Sequence, residues 1–267
     1  MPVLWEELTA KKFDVWVKKS EGVCILPIGV LEKHGSHLPL GTDMYIANAV
    51  SKKAAEQTSV VMFPYYFLGQ IAEARHVKGT LAASHRLIMD AMLEMCDEIH
   101  RNGFTKILIL NGHGGNEHFL PFFCQQFPGL NRPYSVYTYF LPNLTNEQLK
   151  AVQDRTGEDN MGEHAGFMET ALMMHLRPDL VNMEEHKAPE SVNLERMKNT
   201  EGLGVFSGFN WYSKFPYHFA GDASRATPPH GLYIFDILLA NVVNVIQAVK
   251  ADNVSAGLIK EYNDRAN

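Results

Sequence analysis

Residues 23–30 read Val23-Cys-Ile-Leu-Pro-Ile-Gly-Val30, a continuous apolar run that is followed, after Leu31, by the charged residues Glu32 and Lys33. Such a run is typical of a β-strand that is buried on both faces, as the strands of parallel sheets are. Three more runs of this kind follow at 60–67, 106–110 and 134–140. The sequence therefore predicts a central sheet that is covered on both sides.

Helical patterns separate the predicted strands, at 44–57, 84–102, 166–176 and 231–250. Ser84 is a suitable N-cap for the second of these helices. Strands that alternate with helices are too far apart in sequence for hairpins, so the pattern favours an α/β fold with a mainly parallel sheet flanked by helices. No Pro/Ser-rich linker or charge run divides the chain, and we expect a single layered domain over residues 1–267.

Composition narrows the class of function. With 46% hydrophobic residues, 267 residues can bury a large core. The net charge of −6 provides no field that attracts phosphate backbones, so we expect no nucleic-acid partner. The N-terminus lacks a basic region and a long apolar stretch, which favours a cytoplasmic protein with no membrane partner. The three cysteines are far apart and odd in number, so they are expected to be buried free thiols.

The first group of potential metal ligands follows the 23–30 run directly. Glu32 and His34 are two residues apart, so an extended backbone projects both to one side, and Asp43 returns after a short loop. Carboxylate and imidazole together suit zinc or manganese. The alternative is a solvated polar loop, and this stretch by itself does not decide between the two.

A second group lies in the glycine-rich turn Asn111-Gly-His-Gly-Gly-Asn116, which follows the third predicted strand. The carboxyl ends of parallel strands form one crevice, so His113 is expected at the same edge as the first group. Gly114 and Gly115 let the backbone approach a metal or substrate, and Asn116 can cap the following helix. A phosphate-binding loop and a plain tight turn are alternatives. The turn matches neither of the glycine-rich nucleotide-binding motifs, G-x-G-x-x-G and G-x-x-x-x-G-K-[ST], so the pattern favours a metal site.

A third group lies in Gly162-Glu-His-Ala-Gly-Phe-Met-Glu-Thr170. Glu169 falls on the first turns of the predicted helix, where its carboxylate can point back to the sheet edge, and His164 precedes it on a loop. Five helical residues turn through about 140° beyond a full circle, so the two should have different roles. Taken alone, each residue could instead be an ordinary surface acid or loop histidine.

Together, these ordered motifs resemble the creatininase (creatinine amidohydrolase) family, over roughly residues 20 to 245. The resemblance implies a layered α/β fold and hydrolysis of a non-peptide C–N bond in a small-molecule amide. It also implies two divalent metal ions, zinc and/or manganese, and a homo-oligomer, with a hexamer favoured. The substrate class that it suggests is a small cyclic amide, a lactam or a formamide.

The resemblance also assigns roles to residues. The residues at metal-ligand positions of the family are Glu32, His34, Asp43 and His113, and Asp43 takes the place of the carboxylate that bridges both ions. True creatininases have Tyr and Glu directly after the imidazole of the glycine-rich turn, where this chain has Gly114 and Gly115. This change favours a branch of the family other than the true creatininases, in which Glu169 completes the metal site.

The remaining roles concern proton transfer and substrate. The resemblance makes His164 the proton shuttle, with Glu163 to orient it. Contacts to substrate or to the ligands are expected from His37, Gly114, Gly115 and Asn116. The other histidines show no partner pattern, and most of them are expected to be surface or structural residues: His76, His85, His100, His118, His175, His186, His218 and His230.

Three functions are compatible with these patterns. The leading hypothesis is a two-metal amidohydrolase. The second is a non-catalytic metal- or ligand-binding member that lost turnover with the glutamate that is now Gly115. The third is a nucleotide-binding α/β domain that uses the turn at 112–116, and it predicts phosphate affinity that does not depend on metal.

Overall fold

The centre of the protein is a five-stranded parallel sheet in the computed structural model, which describes residues 3–162 and 164–266. Its strand order is β1-β3-β2-β4-β5, and every neighbouring pair is parallel. The strands are β1 (Val3–Leu4), β2 (Val23–Ile28), β3 (Val61–Met62), β4 (Lys106–Asn111) and β5 (Ser135–Phe140). The predicted parallel α/β fold is confirmed.

Helices cover both faces of this sheet. The helices in the described ranges are α1 (Ala10–Lys19), α2 (Thr42–Thr58), α3 (His85–Arg101), α4 (Asn116–Gln125), α5 (Phe127–Leu130), α6 (Asn146–Thr156), α7 (Phe167–Leu176), α8 (Lys198–Glu201), α9 (Asn210–Lys214), α10 (Pro228–Ala251) and α11 (Ser255–Ala266). The four predicted helices correspond to α2, α3, α7 and α10. Ser84 caps α3 as predicted, because its hydroxyl accepts a hydrogen bond from the backbone N–H of Leu87.

Alternate residues of the central strands face two separate hydrophobic cores. Ile25 and Leu108 pack on the side of α2, α7 and α10. Leu26 and Ile109 pack on the side of α3 and α4. Every residue of β2 is buried, which is why this strand appears in the sequence as a continuous apolar run rather than an alternating one.

The strand order also determines where a ligand crevice forms. From β2 the chain crosses to β3 on one side, and it later reaches β4 on the other side. Ile28 at the end of β2 is in register with Asn111 at the end of β4. The loops that leave these two strands therefore diverge at the same edge of the sheet, the usual place for ligands in such folds.

Two local predictions are wrong. Strand β3 covers only Val61–Met62 rather than 60–67, because Pro64 has no N–H to continue the ladder. Asn116 does not cap α4, whose preceding residue Gly115 makes no side-chain cap. Instead the Asn116 amide accepts a hydrogen bond from the Gln70 backbone and donates one to Asn111, so it joins two loops of the crevice.

Helix α10 is, among the residues that the structure describes, the one helix that is long and apolar enough to cross a membrane by length and composition alone. Its buried residues, such as Ile234, Leu238 and Val242, belong to the core that α10 shares with α2 and α7. At its start, a Cβ on Gly231 would lie 1.9 Å from the carbonyl oxygen of Ala171. Glycine at this position therefore allows α7 and α10 to cross closely.

Candidate metal centre

The loop after β2 brings Glu32 and His34 next to Asp43 at the start of α2. The backbone N–H of Glu32 donates to the carbonyl oxygen of Leu40 at 3.0 Å, which folds the loop back on itself. A Cβ on Gly29 would lie 2.5 Å from the backbone nitrogen of Met44, so only glycine lets α2 begin so close to the end of β2. The short separation in sequence thus becomes a short distance in space.

One group of side chains joins this loop to the turn after β4. The Nδ1 atom of His113 lies 2.7 Å from Oε1 of Glu32 and 2.9 Å from Oδ2 of Asp43. The other ring nitrogen, Nε2, donates to the carbonyl oxygen of Gln70 at 2.7 Å, because a carbonyl can only accept. This hydrogen bond orients the imidazole so that Nδ1 faces both carboxylates.

A second group shares Asp43 with the first. The Nε2 atom of His34 lies 2.9 Å from Oδ1 of Asp43 and 3.8 Å from Oε2 of Glu169. The Nδ1 atom of His34 donates to the backbone carbonyl of Glu32 at 3.2 Å, which again orients the ring. Asp43 therefore presents one carboxylate oxygen to each group, and the ligand-type atoms within each group lie within 4.8 Å of one another.

The donor set fits a cation. Oε1 of Glu32 and Oδ2 of Asp43 are buried and have no hydrogen-bond partner among the described residues, although both lie close to His113. Such oxygens are costly to bury unless something positive faces them. Imidazole nitrogens and carboxylate oxygens in groups of three are the ligands that zinc and manganese prefer.

The electrostatics of the cluster point the same way. Burial by itself lowers the pKa of His34, but the carboxylates of Asp43, Glu169 and Glu32 raise it to about 10. Burial also lowers the pKa of His113, but Glu32 and Asp43 outweigh this effect and raise the pKa well above its usual value. Although burial raises the pKa of Glu32, its imidazole neighbours lower it well below the usual range. The site thus attracts positive charge strongly.

Glu169 lies in the first turn of α7, as predicted. Its Oε2 accepts a hydrogen bond from the backbone N–H of Ala165 at 2.5 Å, and its side chain is 21% exposed at the wall of a cavity. Burial and the nearby Asp43 raise the pKa of Glu169 to about 7, while His34 opposes the shift. The helix start and the Ala165 N–H hold this carboxylate toward His34.

His164 lies next to Glu32 rather than inside either group that shares Asp43. Its backbone pairs with Ala220 in both directions, which fixes the loop before α7. Its Nε2 donates to the carbonyl oxygen of Lys33 at 2.8 Å and lies 3.9 Å from Oε2 of Glu32. Burial and the neighbouring His34 lower the pKa of His164 well below its usual value. With Glu32 and His34 it forms a third possible ligand group.

His218 is the residue of this site that the sequence analysis missed. It is buried, and its Nε2 hydrogen-bonds to Oε2 of Glu32. Its Nδ1 accepts a hydrogen bond from the indole Nε1 of Trp211 at 2.9 Å. The sequence showed no partner for His218, because only tertiary folding brings it to Glu32, across 186 positions. The only signal in the sequence was the Gly- and Pro-rich character of its surroundings.

The remaining predicted residues lie around this cluster. His37 faces α7, where its Nε2 is 2.9 Å from the Thr170 hydroxyl, and burial lowers its pKa to about 4. A Cβ on Gly115 would lie 2.5 Å from Nε2 of His113, whereas a Cβ on Gly114 would meet nothing within 4 Å in the part of the chain that the structure describes. Glu163 lies outside the described residues.

A cavity of about 1260 Å³ opens onto the cluster. Its inner wall includes Glu32, His113, His164 and Glu169, and its mouth includes aromatic residues of α4 and of the segment before α9. A second cavity, of about 490 Å³, lies between β5 and α11, and none of the predicted site residues that the structure describes lines it. The large cavity is therefore the place where a substrate can reach the clustered imidazoles and carboxylates.

Comparisons with known proteins relate nearly the whole chain to one family. The model of the family described as "Creatininase: Creatinine amidohydrolase" matches residues 6–246. The chain is 27% identical over 192 residues to a creatinine amidohydrolase of Pseudomonas putida, which covers 67% of this chain and 73% of that protein. It is 25% identical over 231 residues to a mycofactocin precursor peptide peptidase of Mycobacterium ulcerans (strain Agy99), which covers 83% of each.

A solved structure named "Creatininase Mn" superposes with a TM-score of 0.77 at 22% identity and covers 94% of this chain and 100% of the other. The likeness therefore shows that the two proteins share a fold. An amidohydrolase and a peptidase both cleave C–N bonds, so the two sequence relatives are hydrolases of one broad class. Since the family model spans nearly the whole chain, this protein belongs to the creatininase family.

Proposed function

We propose that this protein is a metal-dependent amidohydrolase that cleaves a non-peptide C–N bond of a small amide, lactam or formamide with the help of two divalent ions. The proposal rests mainly on the position of the Asp43 carboxylate, because its two oxygens face two separate groups of ligand-type atoms. A carboxylate between two such groups is suited to bridge a pair of ions. Membership of a family of C–N hydrolases supports the same reaction class.

The residues would divide between the ions in a definite way. Glu32, Asp43 and His113 would hold one, and His34, Asp43 and Glu169 would hold the other. Zinc and manganese both suit these ligands. When bound, such ions activate a water molecule as nucleophile and polarise the carbonyl group of an amide. Because Glu169 reaches His34 from α7, it would supply a carboxylate that Gly115 does not offer.

His164 is the proposed proton carrier. It lines the cavity, and its hydrogen bond to the carbonyl oxygen of Lys33 fixes the ring beside Glu32. Proton delivery to the leaving nitrogen requires a side chain at this kind of position, near the ligands but free to contact the substrate. Glu163 remains our proposal, from the sequence alone, for the residue that orients it.

His218 and Trp211 would keep Glu32 in place. An indole N–H only donates, so Nδ1 of His218 must accept and the ring proton must be on Nε2, where it faces Oε2 of Glu32. This leaves Oε1 of Glu32 facing His113 and Asp43. We therefore infer that Trp211 fixes the tautomer of His218 and that His218 fixes the rotation of the Glu32 carboxylate.

The proposal is tested with the protein reconstituted with zinc or manganese and a panel of amides, lactams and formamides. We expect hydrolysis of at least one compound class, and we expect His164→Asn to keep its metal while kcat falls by about 10²- to 10⁴-fold. Phe67→Ala, at an exposed site outside the cavity, serves as the control for an unrelated substitution. Binding of panel members without any turnover would identify a non-catalytic member of the family and refute the enzyme.

A further inference from the structure

The mouth of the large cavity is unusually apolar for a solvent-exposed surface. Phe122 on α4 is 64% exposed, and Phe206 and Phe209 in the segment before α9 are 78% and 71% exposed. All three line the same cavity as Glu32, His113 and His164. Exposed aromatic side chains that cluster beside a polar site commonly mark the place where an apolar group binds. We call these three residues the mouth aromatics.

The size of the cavity indicates a substrate that is considerably larger than a single amide group. Pockets for small ligands usually enclose about 300–1000 Å³, and this one reaches about 1260 Å³. The space beside the cluster is also open, since a Cβ on Gly114 would meet no atom of the described residues within 4 Å. An amide alone would fill a small fraction of this volume and would leave the mouth aromatics in water.

The charges along the cavity argue against a phosphorylated substrate. Among the described residues that line it, Lys214 is the only lysine or arginine. Its ammonium group is paired with the carboxylate of Glu201. Acidic side chains, including Glu73 and Glu117, line the wall as well. A phosphate group would find no free guanidinium or ammonium partner here, although such partners are the usual means of binding it.

We propose that the mouth aromatics bind a bulky apolar group of the substrate, so that the scissile amide carries an aromatic or branched aliphatic substituent and no phosphate. This inference rests on the proposed function, because it places the amide at the metal ligands.

The experiment compares three N-formyl amines that differ only in the group on nitrogen: methyl, benzyl and 2-phosphonooxyethyl. Calorimetry on the zinc-loaded protein measures Kd, and hydrolysis assays measure KM and kcat. We expect Kd and KM for the benzyl compound to be about tenfold lower than for the methyl compound, since a buried aromatic anchor is worth about a factor of ten. We expect no gain for the phosphorylated compound.

Variants of the mouth aromatics test whether these residues cause the preference for the benzyl compound. Phe206→Ala and Phe209→Ala should each reduce the benzyl-over-methyl ratio about fivefold to tenfold, while the matched exposed aromatic outside the cavity, Phe67→Ala, should keep it. Equal affinity for the benzyl and methyl compounds, or tighter binding of the phosphorylated one, overturns the proposal. The proposal is also overturned if both variants keep the benzyl-over-methyl ratio and sedimentation shows that their oligomeric state has changed. The mouth aromatics would then form an interface between copies of the protein.

Failure of this inference differs from failure of the proposed function. If neither these compounds nor the panel of amides, lactams and formamides are hydrolysed, the amidohydrolase is refuted, but the calorimetric preference for the benzyl group still decides what the mouth aromatics bind. If all compounds are hydrolysed without preference, the reaction stands and the inference is wrong. Trp211 lines the cavity, so its fluorescence provides a further reading of ligand entry.

Discussion

Trp211→Phe tests how the candidate metal centre is held together. The substitution removes one hydrogen-bond donor, the indole N–H that lies 2.9 Å from Nδ1 of His218, and keeps an aromatic ring in its place. His218 is 2% exposed, so water cannot readily replace the lost partner. The imidazole must then either leave Nδ1 without a partner or move its proton to Nδ1 and turn a lone pair toward Glu32.

The expected magnitude follows from these two choices. A buried polar atom without its partner costs about 1–3 kcal/mol of the free energy of unfolding. In a protein of this size that lowers Tm by about 2–4 °C for each kcal/mol. Alternatively, loss of the Nε2 proton removes the donor to Oε2 of Glu32 and frees this carboxylate to rotate. Residues that orient a metal ligand typically contribute about 10- to 100-fold to metal affinity, so we expect a loss in that range.

The assay combines three measurements. Competition with a chromophoric chelator gives the zinc affinity, thermal unfolding gives Tm, and nitrogen NMR of histidine-labelled protein distinguishes protonated from unprotonated ring nitrogens. Trp16→Phe on α1 is the matched control, because it removes an indole from outside the cavity. The reasoning is refuted if Nδ1 of His218 carries the proton in the wild type, or if Trp211→Phe and Trp16→Phe bind zinc equally well.

Three further predictions concern the ligands, the core and the thiols. Asp43→Ala should lower the bound metal in elemental analysis more than His34→Ala does, because Asp43 faces both ligand groups; equal metal content in Asp43→Ala and wild type would exclude a bridge. Gly231→Ala should lower stability in denaturant by about 1–3 kcal/mol, since its methyl group would overlap the carbonyl of Ala171; an unchanged unfolding midpoint would contradict this close crossing. Burial raises the pKa of all three cysteine thiols, so a disulfide reagent at mildly alkaline pH should label the folded protein slowly and the unfolded protein fast; rapid labelling before unfolding would be the contrary result.

Much of the fold can be predicted from the sequence, because the hydrophobic pattern and the residues that end helices and strands are local features of the chain. The apolar runs of β2 and β4 and the periodic residues of α2, α3 and α7 lie within a few residues of their predicted bounds. Among the helices that were not predicted, α1, α6 and α11 lie on the surface and bury few side chains. The Thr145 capping box was a usable signal for α6.

The sequence by itself determined the family and the edge of the sheet where the candidate ligand residues lie, because residues that follow the strands of a parallel sheet converge on one edge. Glu32, His34 and His113 could be placed there from the strand pattern alone, and the order of their motifs indicated the family. Whether Asp43 gives one oxygen to each of two groups depends on how closely α2 begins to β2, a distance that only the folded structure shows. The positions of His218 and the mouth aromatics could be learned only from the tertiary structure. They lie in an irregular segment whose sequence has no periodicity, and this segment reaches Glu32 and the cavity only when the whole chain is packed.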